Sequence, residues 1–547
     1  MIDRRRFIGT SLAGGAAVAA LGSAGCAPDS PDGQARDESG AAGTQPGAFE
    51  LDEITVAELQ AAMESGERTA RSITELYLAR IEALDGRGPE LRSVIETNPD
   101  ALEIADRLDE ERRANGPRGP LHGIPVALKD NIDTHDRMTT TAGSLALEGS
   151  IPLQDSFVAR KLREAGAVIL AKLNMSEWAY FRGERATSGW SARGGQCRMP
   201  YALDRNPCGS SSGSGVAAAA NLAALTIGTE TGGSIMCPSS TNGIVGIKPT
   251  VGLWSRSGII PISHSQDTAG PMCRTVRDAA VLLGPVTGVD PRDAATGASA
   301  ENAHADYGQF LDAGGLVGAR VGAARSFSGF PPEVWALFEE ALDAMRAAGA
   351  TVVDPANLPE AAWDDEQPLL VLEYEFKANM NAYLEGLGPD APVKSLAEII
   401  DFNERNADLE MPHFGQERLY ASQVRGPLTD SEYLDAVHAI QRGNREDGID
   451  AVMNEHNLDA IVAPTRGLAW KTDHILGDSL GGGSSAGPAA IAGYPDVTVP
   501  MGFVSGLPVG VSFFGRAWSE PTLLRIAYAY EQATNHRAAP TFAETLG

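Results

Sequence analysis

Cysteine, histidine and positive charge are all scarce in this chain, and each shortage closes off a class of function. Five cysteines occur in 547 residues. With Cys26 set apart near the N-terminus, Cys197, Cys208, Cys237 and Cys273 show neither zinc-type spacing nor a dense disulfide pattern. Pairing among them and buried free thiols both stay open. The nine histidines form no spaced pair beside any serine cluster, and no ligand spacing suggests a metal or organic cofactor. Lys and Arg number 44 against 72 Asp and Glu, a formal net charge of −28. Phosphate binding needs a basic face, so nucleic acid is excluded as a partner, and the acidic surface reads as a solubility feature. Long apolar runs are also missing. Residues 9–25 are Gly/Ala-rich, too short and too weakly hydrophobic for a comfortable membrane span. No internal repeat is visible.

What the chain does have is two small-residue clusters. Cys208-Gly209-Ser210-Ser211-Ser212-Gly213-Ser214 comes first, and Gly228-Thr229-Glu230-Thr231-Gly232-Gly233-Ser234 follows an alanine-rich stretch. A Gly/Ser run by itself reads as a flexible linker. Here, however, residues 216–225 are strong helix formers and Thr226-Ile227-Gly228-Thr229 is a short strand opening into the second cluster. A glycine pair lets the backbone approach a ligand and turn its N–H groups inward, so Ser234 could stand at the tip of a preformed oxyanion hole.

A serine hydroxyl needs a base. Upstream, Pro125-Val126-Ala127-Leu128-Lys129 reads as a short apolar strand ending on a lysine. Burial would disfavour the ammonium form and leave a neutral amine able to take a proton. A solvated lysine with its stem on the surface is the alternative reading.

Lys129 within Leu-Lys-Asp-Asn, the Gly-Ser-Ser-Ser-Gly-Ser run, Gly-Gly-Ser-Ile, and Gly243-Ile244-Val245-Gly246-Ile247-Lys248-Pro249-Thr250 together resemble the amidase signature family. Ser210 and Ser234 stand 24 positions apart, as that family requires. Ser176-Glu177-Trp178, residues 188–196 and Ile259-Ile260-Pro261-Ile262-Ser263 resemble its bacterial peptide amidase branch, and the likeness covers nearly everything after Phe49. The resemblance implies a three-layer α/β/α fold around a large mixed twisted sheet, with its pocket above the strand ends. It implies a Ser-cisSer-Lys triad: Ser234 as nucleophile, Lys129 as general base, and Ser210 as relay after a cis bond from Gly209. The amides of Thr231, Gly232, Gly233 and Ser234 would hold the oxyanion. The implied activity is hydrolysis of C-terminal carboxamides of peptides or amino-acid amides, with release of ammonia and no obligate protein partner.

Three positions depart from the broad family pattern. Glu230 stands for Asp and Met236 for Arg, which puts substrate transfer from other branches in doubt; Cys208 stands for the first glycine of Gly-Gly-Ser-Ser. Other readings compete. Gly209-Ser210-Ser211-Ser212-Gly213 matches a Gly-x-Ser-x-Gly elbow, which would make Ser211 the nucleophile of a histidine-dependent esterase, but Arg205-Asn206-Pro207-Cys208 is poor strand sequence ahead of it. An amidase or esterase acting on other acyl groups, an ammonia-transferring amidotransferase and an envelope solute-binding lipoprotein are the remaining alternatives.

Asp3-Arg4-Arg5-Arg6-Phe7-Ile8 resembles a twin-arginine export signal spanning residues 1–25. Ser23-Ala24-Gly25-Cys26 resembles a lipoprotein cleavage site, so Cys26 would become a lipidated membrane tether; ordinary cleavage nearby would give a free enzyme. Either way the enzyme would be exported, periplasmic or held at the cell envelope. Residues 26–48, rich in Pro, Gly, Asp and Ser, read as a disordered tether. Residues 49–547 read as one catalytic domain with a variable helical region at about 290–448.

Along that body, Thr55-Val56-Ala57-Glu58 and Ser72-Ile73-Thr74-Glu75 predict capping boxes opening two helices. Residues 100–113, 157–165 and 520–532 predict further helices, and residues 167–171, 458–464 and 496–500 predict strands.

Overall fold

The computed structural model describes residues 49–360, 366–479 and 482–546. The readings made for residues 1–48, namely the export signal, Cys26 and the tether, lie outside the described residues. Short β-branched and apolar runs supply thirteen strands among the described residues: β1 Val94–Thr97, β2 Pro125–Lys129, β3 Val168–Leu173, β4 Trp190–Ser191, β5 Gly195–Gln196, β6 Leu225–Glu230, β7 Val245–Lys248, β8 Thr268–Cys273, β9 Arg320–Ala323, β10 Thr351–Val353, β11 Ala460–Pro464, β12 Asp496–Val504 and β13 Leu507–Phe514. Strands β4 and β5 pair by themselves. The other eleven form one sheet in the order β1-β3-β2-β6-β8-β7-β12-β13-β11-β9-β10. Strand β2 runs parallel to β3 and β6, and β9 runs parallel to β10 and β11. The remaining pairings are antiparallel, so the sheet is mixed. Every residue of β2, β3, β6, β8, β11 and β13 is buried. Burial on both pleat faces requires cover on both sides, and this is the α/β layering that the sequence predicts.

The helix Val56–Ser65 begins with the predicted capping box of Thr55 and Glu58. The second helix does not begin at Ser72. It spans Ala70–Leu84 with Thr69 as N-cap, and Ser72 is the third helical residue, its hydroxyl accepting from the Thr69 N–H. The start moves up because Asp109 of the helix Ala101–Asn115 accepts from the Ala70 and Arg71 amides, meeting donors that a helix N-terminus otherwise leaves unpaired. The alanine-rich helix is likewise displaced. It runs Ser212–Ala219, because Asn221 turns into the left-handed region and clasps Glu53 through its side-chain amide.

The variable region is not wholly a helical cover. Within it β9, the helix Pro332–Ala347 and β10 extend the main sheet, and only the later helices, Gln367–Gly386 to Ser431–Asn444, form the separate layer. One buried cation ties that layer to the body. Arg182 pairs with Glu177 and also donates to the carbonyls of Glu410 and Phe414, while its guanidinium lies over the rings of Trp190 and Phe414. The pairing holds residues 179–181, which border the cavity described next, against the helical layer.

Candidate active site

Because β2 and β6 are parallel neighbours, their carboxyl ends reach the same edge of the sheet, the usual place for a site in an α/β fold. Lys129 is the last residue of β2 and is fully buried. Its Nζ lies 2.7 Å from Ser210 Oγ, and it donates to Thr229 O at 3.1 Å and Thr229 Oγ1 at 2.8 Å. Asn131 Nδ2 also donates to Thr229 Oγ1, at 3.0 Å. Burial brings the Lys129 ammonium down to a pKa of about 7, against the opposing pull of the negative charges on Asp267 and Glu230. The solvated-lysine alternative is thereby excluded.

Ser210 is reached from Gly209 through a cis peptide bond, as the resemblance implied. The space before it is tight: a Cβ on Gly209 would crowd the Ser176 and Ser212 hydroxyls. Ser211 is placed differently. Its hydroxyl donates to Thr229 O at 2.9 Å and accepts from Thr229 N–H at 3.1 Å, and it is wholly buried. A hydroxyl so engaged faces no substrate, which removes the Gly-x-Ser-x-Gly reading.

After β6 the chain turns through Gly233, whose φ of 86° suits a residue without a side chain, to Ser234. Glu230 shapes this turn, its carboxylate accepting from the Ile235 and Met236 amides at 2.7 and 3.0 Å. The N–H groups of Gly232, Gly233 and Ser234 find no acceptor among the described residues, nor does the Ser234 hydroxyl donate to one. All of these groups border a cavity of about 530 Å³, together with Ser210 and Thr231. Leu372, Ile262 and Ile491 make part of its wall apolar, and no histidine is among its described lining residues. The predicted set Lys129, Ser210, Ser234, Thr231, Gly232 and Gly233 thus converges at one place.

Several participants carried no sequence signal. Cys208 and Cys237 form a disulfide with Cα atoms 5.9 Å apart, joining the strand-free approach to Ser210 to the helix Met236–Thr241 that follows Ser234. Cys197 and Cys273 are buried free thiols. Asp267 stands behind Thr231. Burial pushes its pKa up to about 6, while its carboxylate accepts from Thr231 Oγ1 at 2.5 Å and from the Ile262 and Ser263 amides. Only the antiparallel pairing of β6 with β8 brings it there, across a long intervening stretch of chain. No group of His, Cys, Asp and Glu able to hold a metal occurs among the described residues.

The sequence model of the Amidase family matches residues 72–524. A probable amidase of Arabidopsis thaliana is 42% identical over 503 residues, which cover 90% of this chain and 92% of that protein. Among solved structures, native peptide amidase from Stenotrophomonas maltophilia superposes with a TM-score of 0.86 at 50% identity, covering 90% of this chain and all of that one. An amidase family protein from Bacillus anthracis str. Ames superposes with a TM-score of 0.81 at 37% identity, covering 90% of this chain and 93% of that one.

Proposed function

Since this chain belongs to the amidase family and is a hydrolase of carboxamides, we propose that it removes the C-terminal carboxamide of peptides or amino-acid amides as ammonia, through an acyl-enzyme on Ser234. The observation that carries the mechanism is the 2.7 Å approach of a buried Lys129 amine to the Ser210 hydroxyl. A neutral amine has two hydrogens and one lone pair. Thr229 O and Thr229 Oγ1 take the hydrogens, and the lone pair is left for the Ser210 proton. When the Ser234 side chain turns to Ser210, its own proton can follow.

Ser234 Oγ then attacks the carboxamide carbon while the Ser234 proton passes to Ser210 Oγ and the Ser210 proton to Lys129 Nζ. The amides at 231–234, with no competing acceptor at 232–234, receive the negative oxygen; losing one such donor typically costs roughly 10²- to 10³-fold in rate. As the C–N bond breaks, Lys129 returns its proton through Ser210 to the leaving nitrogen. Water attacks the resulting ester by the same relay, and the free acid leaves.

The substrate class draws support from the 50% identity to peptide amidase. The same triad accepts other acyl groups, and the apolar wall of the cavity is compatible with that second reading. Ammonia release measured over peptide amides, esters and aliphatic amides separates the two. Ser234→Ala should abolish turnover while leaving the melting temperature within a few degrees of wild type. Continued ammonia release by that variant from a peptide amide would sink the assignment.

Export belongs to the same proposal. The Cys208–Cys237 disulfide supports it, because such bonds persist in oxidising compartments. A reading of Cys26 as a lipidated tether predicts that Cys26→Ala moves the full chain from the membrane to the soluble envelope fraction.

A further inference from the structure

Among the described side chains that border the cavity, Gln266 has an unspent hydrogen-bonding capacity. It is 4% exposed, its Nε2 is buried without any partner, and its side-chain oxygen accepts from no described residue. A buried amide left unsatisfied is destabilising, so such a group points to a partner that arrives with the ligand.

The loop that carries Gln266 is braced from both sides. Asp267 accepts from Thr231 Oγ1 and from the Ile262 and Ser263 amides. Glu375, on the helix Gln367–Gly386, accepts from the Ser263 hydroxyl, from the Ser265 amide at 3.2 Å and hydroxyl at 3.0 Å, and from Tyr433 OH at 2.8 Å. Within the loop, the Gln266 and Asp267 amides both donate to Ser263 O. The carboxylates of Asp267 and of the fully buried Glu375 therefore hold the backbone on either side of an idle carboxamide, and Asp267 also grips the oxyanion turn. Preorganisation of this kind is what a substrate-reading group needs.

The partner follows from what the chemistry leaves over. In a peptide amide the scissile carbonyl is served by the turn at 231–234 and the leaving nitrogen by Ser210. The polar group still to be buried is the peptide bond immediately before the scissile residue. An idle N–H donor calls for a carbonyl acceptor. We infer that Gln266 donates its side-chain N–H to the carbonyl oxygen of that preceding peptide bond, and so makes the enzyme prefer acylated amino-acid amides and peptide amides over simple carboxamides. This rests on the proposed substrate class.

The test compares N-acetylphenylalaninamide, which has the preceding carbonyl, with 3-phenylpropionamide, which keeps the ring and the carboxamide but lacks it. For Gln266→Leu, kcat/KM on the first should fall roughly 10- to 100-fold, mostly through KM, while the second changes less than about twofold. Gln266→Asn, which keeps the amide on a shorter stem, should recover part of the loss, and unchanged melting temperatures would exclude misfolding. Equal losses on both substrates would make Gln266 a structural residue and overturn the inference, as would no loss on either. Wild-type enzyme that hydrolyses 3-phenylpropionamide but not N-acetylphenylalaninamide would instead overturn the substrate class itself, before any variant is made.

Discussion

Burial of Lys129 removes the hydration an ammonium ion depends on, and the two Thr229 oxygens replace only part of it. Because the pKa falls to about 7, the working neutral form dominates only above that pH. The expected pH profile of kcat/KM therefore rises through an acid limb near pH 7 and levels off above it. Rate measurements between pH 5 and 9 check this; a rate that is flat or falling across pH 6 to 8 would contradict a lysine base. Lys129→Met keeps much of the volume without the nitrogen, and should lower kcat by about 10³-fold or more with folding retained. At this scale the residue types were legible, because a lysine at the end of an apolar run and a serine after paired glycines are unusual company. The part played by Thr229 was not, since a threonine in a strand ordinarily signifies only β-propensity.

The elements that hold the site are two turns and one cross-link. Gly209–Ser210 and the turn at 231–234 lie on different segments, and the Cys208–Cys237 bond closes a loop with a sequence separation of 29 around both. In the chain-entropy picture a loop of that length stabilises the fold by about 3–4 kcal/mol. Replacing both cysteines by serine should lower stability by up to that amount in a urea titration, and should reduce activity more than it reduces helix content. A double variant as stable and active as wild type would show the bond to be incidental. The sequence left this pairing open because spacing alone does not say which two of four cysteines meet. The missed start of the second helix has a similar cause: Thr69 and Ser72 are both competent caps, and Asp109 from a neighbouring helix decides between them.

Across the whole molecule, burial shifts several carboxyl groups toward the protonated form. Asp133 and Glu531 are pushed up to about 7 and Asp496 to about 8, above their ordinary values near 4. A carboxyl whose folded pKa is raised contributes stability that is fully present below its unfolded pKa and is lost as pH rises through the folded one. Lys129, lowered to about 7 from 10.5, works in the opposite direction but only above pH 7. The melting temperature should therefore decline between about pH 5 and pH 8 and then flatten, as read by calorimetry at constant ionic strength. A melting temperature that climbs steadily from pH 5 to 8 would contradict this. The formal charge of −28 works in the same direction, since self-repulsion grows as the remaining carboxyls ionise.

Local order along the chain was enough to determine the α/β alternation, the strand ending on Lys129, the glycine turn before Ser234 and the family to which they belong, because each is a pattern within about ten residues. Tertiary structure alone decided which cysteines pair, that Asp267 stands behind Thr231, that two strands of the supposed helical region join the sheet, and that Gln266 faces the cavity with nothing to bind. Those contacts join residues tens to hundreds of positions apart, and only sheet pairing and packing bring them within bonding distance.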